Sequence, residues 1–458
     1  MIDIKNIYDK IPIPLQNLLV TAKGYLLKKE RYDGNFSKYV SQLEKSQWLS
    51  EEELKRIQID RLNKMLEHAY INVPYYRELF KRKNILPTDI KNKKDLKILP
   101  LLTKENIKRN SNSLIAENIP SKKMIPHKTG GTTGSPLTVY VTKKAIKHNY
   151  AFLEARCKRW SGVKSGDKLA SFLGKVIVPI SQKKPPFWRY NRAYNQVLFS
   201  SFHLNEENLH YYVEEFNRVK PKIVQGYVST VFILAKFILD NNLQVYSPSS
   251  ILLSSETLHD WKRKTIEKAF KTKIFNGYSL AEFVAFISEC EEGRLHISPE
   301  YGLIELEEIK GSNHKYEIIA TTLFNYSMPL IRYKTGDVVT ISKENKCPCG
   351  RGLPIVGSIE GRKDNMLLTP EGNYISSASL SLVFKDIQNI KQAQIIQNKQ
   401  DMITLRLATE TDFSDEESNL LRNKLEKRLG KKMLINIQFV DEIERTSIGK
   451  YKFIISNI

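Results

Sequence analysis

Between residues 203 and 282 the chain alternates helix-spaced and strand-like runs, and that rhythm constrains the fold more than any other feature of its 458 residues. Leu209, Tyr212, Val213 and Phe216 recur at helical spacing and lead to the short run Ile223-Val224-Gln225, which stops at Gly226. A second helix over about 229–240 leads to a strand at Ile251-Leu252-Leu253, and a third, His259 to Phe270, leads to Ile274-Phe275. Strands separated by helices of this length pair in parallel through right-handed crossovers, so an α/β fold is expected. Ligands of such sheets sit beyond the carboxyl ends of the strands. The loops 225–227, 254–258 and 277–282 all follow strands and can share one crevice.

The flanking regions read differently. Residues 1–110 form a helical N-terminal region, and Ser50-Glu51-Glu52-Glu53 is a capping box opening one of its helices. Near the C-terminus Ile403, Leu405 and Leu407 alternate with polar residues, as do Ile435, Ile437 and Phe439. Between them Ser414 caps a helix with the stripe Leu421, Leu425 and Leu429, closed by Gly430. That is a small α+β domain.

Lys+Arg outnumber Asp+Glu by 72 to 50, a formal charge of +22, which invites a nucleic-acid or anionic-membrane reading. The basic residues are spread through every segment and no nucleic-acid module is recognisable, so no nucleic-acid partner is expected. No apolar run approaches the roughly 20 residues of a transmembrane helix. Four cysteines in this length fit a reducing compartment. A cytoplasmic chain is expected, with peripheral attachment to the inner face of a membrane left open by Leu18, Leu19 and Leu26 among basic residues.

Several segments can carry chemistry. Lys128-Thr129-Gly130-Gly131-Thr132-Thr133-Gly134-Ser135-Pro136 packs glycines and hydroxyls where backbone N–H groups can meet an anion. It is no Walker loop, since no Gly-Lys pair is followed by Ser or Thr. Asn276-Gly277-Tyr278-Ser279-Leu280-Ala281-Glu282 lies at a strand end; it nearly matches a hydrolase elbow, but no Asp–His pair completes a triad. A carboxylate there is better placed to hold Mg²⁺. Arg332-Tyr333-Lys334-Thr335-Gly336-Asp337, Gly361-Arg362-Lys363-Asp364 and Arg445-Thr446-Ser447-Ile448-Gly449-Lys450 are charged, turn-forming stretches.

In this order and at these distances the segments resemble the AMP-forming acyl-ligase (adenylate-forming) superfamily, in its phenylacetate–CoA ligase-like branch, including members encoded with capsular-polysaccharide genes. His68-Ala69-Tyr70-Ile71-Asn72-Val73-Pro74-Tyr75-Tyr76-Arg77 and Leu99-Pro100-Leu101-Leu102-Thr103-Lys104 look like that branch too. The resemblance implies a large N-terminal domain, residues 1–361, with mixed and parallel sheet, and a small mobile α+β lid, residues 362–458. It implies an ATP-dependent ligase that joins AMP to a small carboxylic acid and passes the acyl group to CoA. Thr129, Gly130, Gly131, Thr132, Thr133 and Gly134 would grip the β- and γ-phosphates. Ser255, Glu256 and Ser279 would adjoin the nucleotide, Tyr278 the adenine, and Asp337 the ribose hydroxyls. Glu282 would hold magnesium, Arg362 would border the ribose, the bond between Lys363 and Asp364 would be the hinge, and Lys450 would bridge the carboxylate and the α-phosphate. Phe283 and Phe286 are candidates to line the acyl pocket. Catalysis would rest on Lys450, Glu282 and Thr133.

Ala281 stands where the family has threonine, Ser279 where it has glycine, and the stretch Pro370-Glu371-Gly372-Asn373 differs from the phenylacetate enzymes. The acceptor is therefore CoA or, in an alternative suited to surface-polysaccharide assembly, an amine or hydroxyl. Cys290, His296, Cys347 and Cys349 supply the three thiolates and one imidazole of a closed structural zinc site. Cys157, beside Phe152 and Trp160, reads as core. The oligomeric state is open, a homodimer included.

Overall fold

The computed structural model describes residues 8–128, 137–312, 314–362, 366–370, 374–375, 380, 382–384, 387, 389–409, 413–444 and 452–458. The N-terminal region is helical, over Ile13–Tyr32, Phe36–Ser46, Glu51–Asn72, Pro74–Lys83 and Lys104–Arg109. The Ser50 box forms as its residue types dictate: Glu53 N donates to Ser50 Oγ at 3.3 Å, and Ser50 N donates back to the Glu53 carboxylate at 2.8 Å. Strands β1 (Met124–Lys128) and β2 (Thr138–Thr142) pair antiparallel and flank the Gly/Thr-rich stretch.

A 12-stranded sheet forms the centre. One half holds β3 (Leu169–Phe172), β4 (Trp188–Asn191), β5 (Gln196–Phe199), β6 (Ile223–Tyr227), β7 (Ser250–Ser254) and β8 (Ile274–Ser279). The other holds β9 (Phe286–Glu289), β10 (Leu295–Ile297), β11 (Gly302–Glu308), β12 (Lys315–Thr322), β13 (Tyr333–Ile341) and β14 (Ile355–Arg362). The order is β11-β12-β13-β14-β10-β9-β8-β7-β6-β3-β5-β4. As the helix–strand rhythm requires, β6, β7 and β8 are parallel, joined through the helices Val228–Asp240 and Asp260–Phe270. The antiparallel half has no counterpart in that rhythm. All four residues of β9 and the last six of β12 are buried, so their side chains show no alternation to read.

The antiparallel half also curls. Strands β8 and β13 are separated by β9, β10 and β14, yet the Tyr278 hydroxyl donates to Asp337 Oδ2 at 2.8 Å. At about 4.8 Å per strand, four spacings in a flat sheet would hold them about 19 Å apart.

Arg156, fully buried, fastens the helical region to the sheet. Its guanidinium donates to Leu43 O at 2.8 Å and to Glu300 Oε1 at 3.0 Å. Towards the C-terminus β15 (Leu367–Leu368) pairs with β16 (Tyr374–Ile375). Strands β17 (Ile390–Lys399), β18 (Met402–Thr409), β19 (Leu434–Phe439) and β20 (Ile454–Ser456) form a separate sheet, order β19-β18-β17-β20. Its core joins Ile403, Leu405 and Leu407 to Leu421, Leu425 and Leu429 of the helix Asp415–Leu429. Ser414 and Glu417 cap that helix reciprocally, and Gly430 ends it at φ 90°. The architecture is α/β with a small α+β C-terminal unit.

Candidate active site

The parallel strands end where the sequence analysis places a crevice. Beyond β8 the chain turns through Leu280 and Phe283, whose N–H donates to Leu280 O at 3.1 Å. Phe283 takes φ 58°, a strained conformation for a bulky residue, and this turn sets Glu282 into the interior at 4% exposure. The Tyr333 hydroxyl donates to Glu282 Oε1 at 3.0 Å. Burial is the main cause that pushes the Glu282 carboxyl above its ordinary range, and the Asp337 charge adds to it.

Asp337 lies opposite Arg362 in the β13–β14 ladder, with Arg362 Nε 3.6 Å from Oδ1. Burial, then the Asp337 charge, pushes the Tyr278 phenol well above its ordinary value, so Tyr278 stays a donor. A carboxylate offers about four lone-pair sites, so Asp337 can serve several donors at once. Strand β13 is held from outside by the helical region: Leu102 N donates to Arg332 O and Lys334 N to Leu102 O, both at 2.9 Å. Further back, the Tyr76 hydroxyl donates to Pro329 O and accepts from Ile331 N, both at 3.0 Å. The stretches around Tyr76 and Leu102 thus position the strand that carries Asp337.

A cavity of about 100 Å³ adjoins Tyr278 and touches all three predicted loops through Gln225, Ser254 and Ser279. Phe286 lines it; Phe283 turns into the core, its ring 5.2 Å from that of His127. The opposite wall was not legible. It comes from Tyr32, Tyr150 and the π-helical turn Leu153–Lys158, which sets Leu153, Cys157 and Lys158 against the cavity. Cys157 packs against the core, as expected, and also faces the cavity; burial pushes its thiol up to about 12. Sequence reasoning also gave no role to Tyr333 or to Lys104, whose ammonium burial and the Arg362 and Lys108 charges lower while Glu282 raises it. Tyr333 stood inside a motif already singled out, which was the available signal.

Ser255 takes φ 70° after β7. Glu256 accepts from Ser229 N at 2.7 Å and from Ser229 Oγ at 2.9 Å, so its carboxylate caps the helix Val228–Asp240, which has no side-chain cap of its own. Thr129, Gly130, Gly131, Thr132, Thr133, Gly134, Lys363, Asp364 and Lys450 lie outside the described residues.

Away from the crevice, Cys290, His296, Cys347 and Cys349 bring their ligand atoms within 4.8 Å of one another. Cys290 Sγ is 3.6 Å from Cys347 Sγ, and Cys349 Sγ is 3.5 Å from His296 Nε2. Tetrahedral ligands about 2.0–2.3 Å from one zinc ion would stand at such separations. His296 Nδ1 points at Leu353 O, 3.2 Å away, leaving Nε2 on the side of the thiols. Burial raises the Cys290 and Cys347 thiols, so a thiolate set here calls for a cation's charge.

The CapK C-terminal domain description matches residues 367–457. Protein CapK of Staphylococcus aureus is 32% identical over 457 residues, covering 99% of each chain. The chain belongs to the CapK branch of the adenylate-forming ligases. The phenylacetate-coenzyme A ligase of Aromatoleum evansii is 24% identical over 455 residues, with 90% of this CapK relative and 96% of that enzyme covered. The solved structure of 2-hydroxyisobutyryl-CoA ligase in its postadenylation state superposes with a TM-score of 0.69, at 16% identity, over 90% of this chain and 91% of that one, and shares the fold.

Proposed function

We propose that the chain is an ATP-dependent, AMP-forming ligase that activates a small carboxylic acid and passes the acyl group to CoA or another nucleophile. The observation that carries this reading is the meeting of Tyr278, Glu282, Asp337 and Arg362 at the strand ends, beside a cavity for an acyl group. Asp337 would accept from the ribose hydroxyls and Tyr278 would lie against the adenine. The Gly/Thr stretch 129–134 would cradle the departing pyrophosphate. Glu282 would hold magnesium, which supplies charge neutralisation at the phosphates; a buried carboxylate that resists ionisation alone fits a cation partner. Lys450 would stabilise the charge that builds between the attacking carboxylate and the α-phosphate. Residues 1–361 would form the substrate domain and 362–458 a lid turning about Lys363 and Asp364 to admit the acceptor. Zinc held by Cys290, His296, Cys347 and Cys349 would be structural, fastening the loop at 347–349 to β10. A cytoplasmic enzyme fits these substrates, and among the described residues no helix is long and apolar enough to cross a membrane.

Carboxylate-dependent ATP–pyrophosphate exchange across aryl, fatty and amino acids tests the reading. One class of acid supports exchange, and Lys450→Ala lowers it by about 10²–10³-fold. Exchange with no acid, or exchange unaltered in Lys450→Ala, overturns it. The altered stretch 370–373 favours an acceptor other than CoA, so single-turnover transfer to CoA is compared with transfer to amines and hydroxyl compounds.

A further inference from the structure

The helix Ile13–Tyr32 carries apolar side chains on its exposed side, where a surface helix ordinarily carries charge. Its inner side is fastened along β4 and the turn after it. Tyr190 N donates to Asn17 Oδ1 at 2.9 Å, Arg189 Nε to Gln16 Oε1 at 2.6 Å, and Lys28 Nζ to Ala193 O at 3.1 Å. Gly24 permits this approach, because a Cβ there would meet Asn191 Oδ1 at 2.2 Å. Ile13, Val20 and Leu27 are half-buried on the same side.

On the opposite side Leu15, Leu18, Leu19, Ala22 and Leu26 follow the i, i+3, i+4 spacing, with Tyr25 alongside. Leu18 is 63% and Leu26 72% exposed. Single exposed leucines are ordinary, whereas a continuous stripe marks a contact surface. Lys23 and Lys29 on the same helix are exposed, while Lys28 and Arg31 turn inward to Ala193 O and the Tyr150 ring. The loop 174–184 lies beside the helix and exposes Val176, Ile180, Lys175, Lys183 and Lys184. It is tied to the helical region where the Tyr8 hydroxyl donates to Ile177 O at 2.7 Å. Burial of the ammonium, then the Arg31 and Lys23 charges, hold Lys175 below its ordinary value.

We infer that this face docks on an anionic lipid surface, with the leucines entering the boundary of headgroups and acyl chains and the lysines meeting lipid phosphates. Charge decides the occupant. A second copy of the chain would lay the same lysine fringe against itself in a molecule already at +22. A soluble polyanion would satisfy the lysines and leave the leucines in water. An anionic bilayer satisfies both. Tyr32, the last residue of this helix, lines the cavity at the candidate active site, so docking would hold that cavity close to the interface.

Co-sedimentation with vesicles tests the assignment independently of any ligase activity. The full chain is expected to bind phosphatidylcholine vesicles containing about 30 mol % phosphatidylglycerol, and to bind pure phosphatidylcholine at least roughly tenfold more weakly. Leu18→Ser/Leu26→Ser lowers partitioning roughly tenfold or more. Lys23→Gln/Lys29→Gln lowers it roughly fivefold per charge at low salt, an effect that fades at high salt. All four side chains are exposed, and circular dichroism verifies that both variants are folded. Absence of wild-type binding to the anionic vesicles overturns the inference. So does binding that the leucine variant leaves unchanged, which would trace to bulk charge alone. A dimer in light scattering that the leucine variant dissociates, with no vesicle binding, assigns the face to a second copy instead and equally overturns it.

Discussion

Glu282→Gln separates the fold's interest from the site's. Glutamine keeps the volume and can still accept from the Tyr333 hydroxyl, now 3.0 Å from Glu282 Oε1, so the only large change is the loss of charge. At 4% exposure that charge is costly to bury, and Asp337 makes it costlier. Relief of a buried, poorly solvated group is worth about 1–2 kcal/mol. In a chain of this size that is a rise in Tm of about 1–2 °C. The pH dependence has a definite sign. Because the folded protein raises this carboxyl, its charged form costs nothing below the ordinary carboxylate range, and the cost develops as pH climbs through the raised value. The stability gap between variant and wild type is therefore absent at acid pH and full near neutrality. Under the proposed magnesium role activity moves the other way, and exchange falls about 10²–10³-fold. Scanning calorimetry from pH 4 to 8 and exchange rates measure both (about four pH points suffice to define the trend). A variant less stable than wild type at neutral pH, or a gap that does not change with pH, would show that Glu282 is an ordinary structural carboxylate.

Other outcomes follow from the same geometry. Asp337→Asn keeps an acceptor for Tyr278 but loses the charge, and KM for ATP rises about 10–100-fold with the thermal midpoint little moved; an unchanged KM removes Asp337 from the nucleotide site. Protein purified without chelator carries close to one zinc per chain by elemental analysis, and less than about 0.2 would sink the zinc site. Stripping the metal, or Cys347→Ser, costs about 2.7 kcal/mol where free zinc stands about a hundredfold above its dissociation constant, read as a lower Tm. Arg156→Met leaves Glu300 buried without its cation and costs about 3–5 kcal/mol in urea unfolding, and a loss below about 1 kcal/mol would mean the pair is replaceable.

Strands β6, β7 and β8 were legible from the helices between them, whose apolar residues keep period, and the C-terminal unit from the period of its own side chains. Strands β3, β4 and β5 were not legible. Leu421, Leu425 and Leu429 share one stripe, and Ile403, Leu405 and Leu407 one face, so the pattern reports the buried side directly. The antiparallel half hid because β9 and most of β12 are buried on both faces. Of the candidate site, Tyr278, Glu282, Asp337 and Arg362 stood in motifs recognisable by order and distance, and the structure brings them together. Their contacts were not legible. That Tyr333 holds Glu282 or that Tyr76 pins the approach to β13 depends on tertiary placement across 51 and 253 residues. The cavity wall at Cys157 escaped for a related reason: a π-helical turn shifts which side chains face inward, and apolar periodicity assumes 3.6 residues per turn.

The curl of the sheet has a consequence for how mutations in this chain will read. Tyr278 and Asp337 touch because the sheet between them bends, so their separation measures curvature as much as it measures anything local. Gly357, on β14 between them, has no room to spare: a Cβ there would meet Thr340 Oγ1 at 2.4 Å and Ile341 O at 2.9 Å. A methyl group there would push β14 from β13 and widen the Tyr278–Asp337 gap. Under the proposed nucleotide role, screens for ATP affinity will therefore return this glycine alongside contact residues. In this architecture the shape of the backbone is itself a ligand-binding parameter.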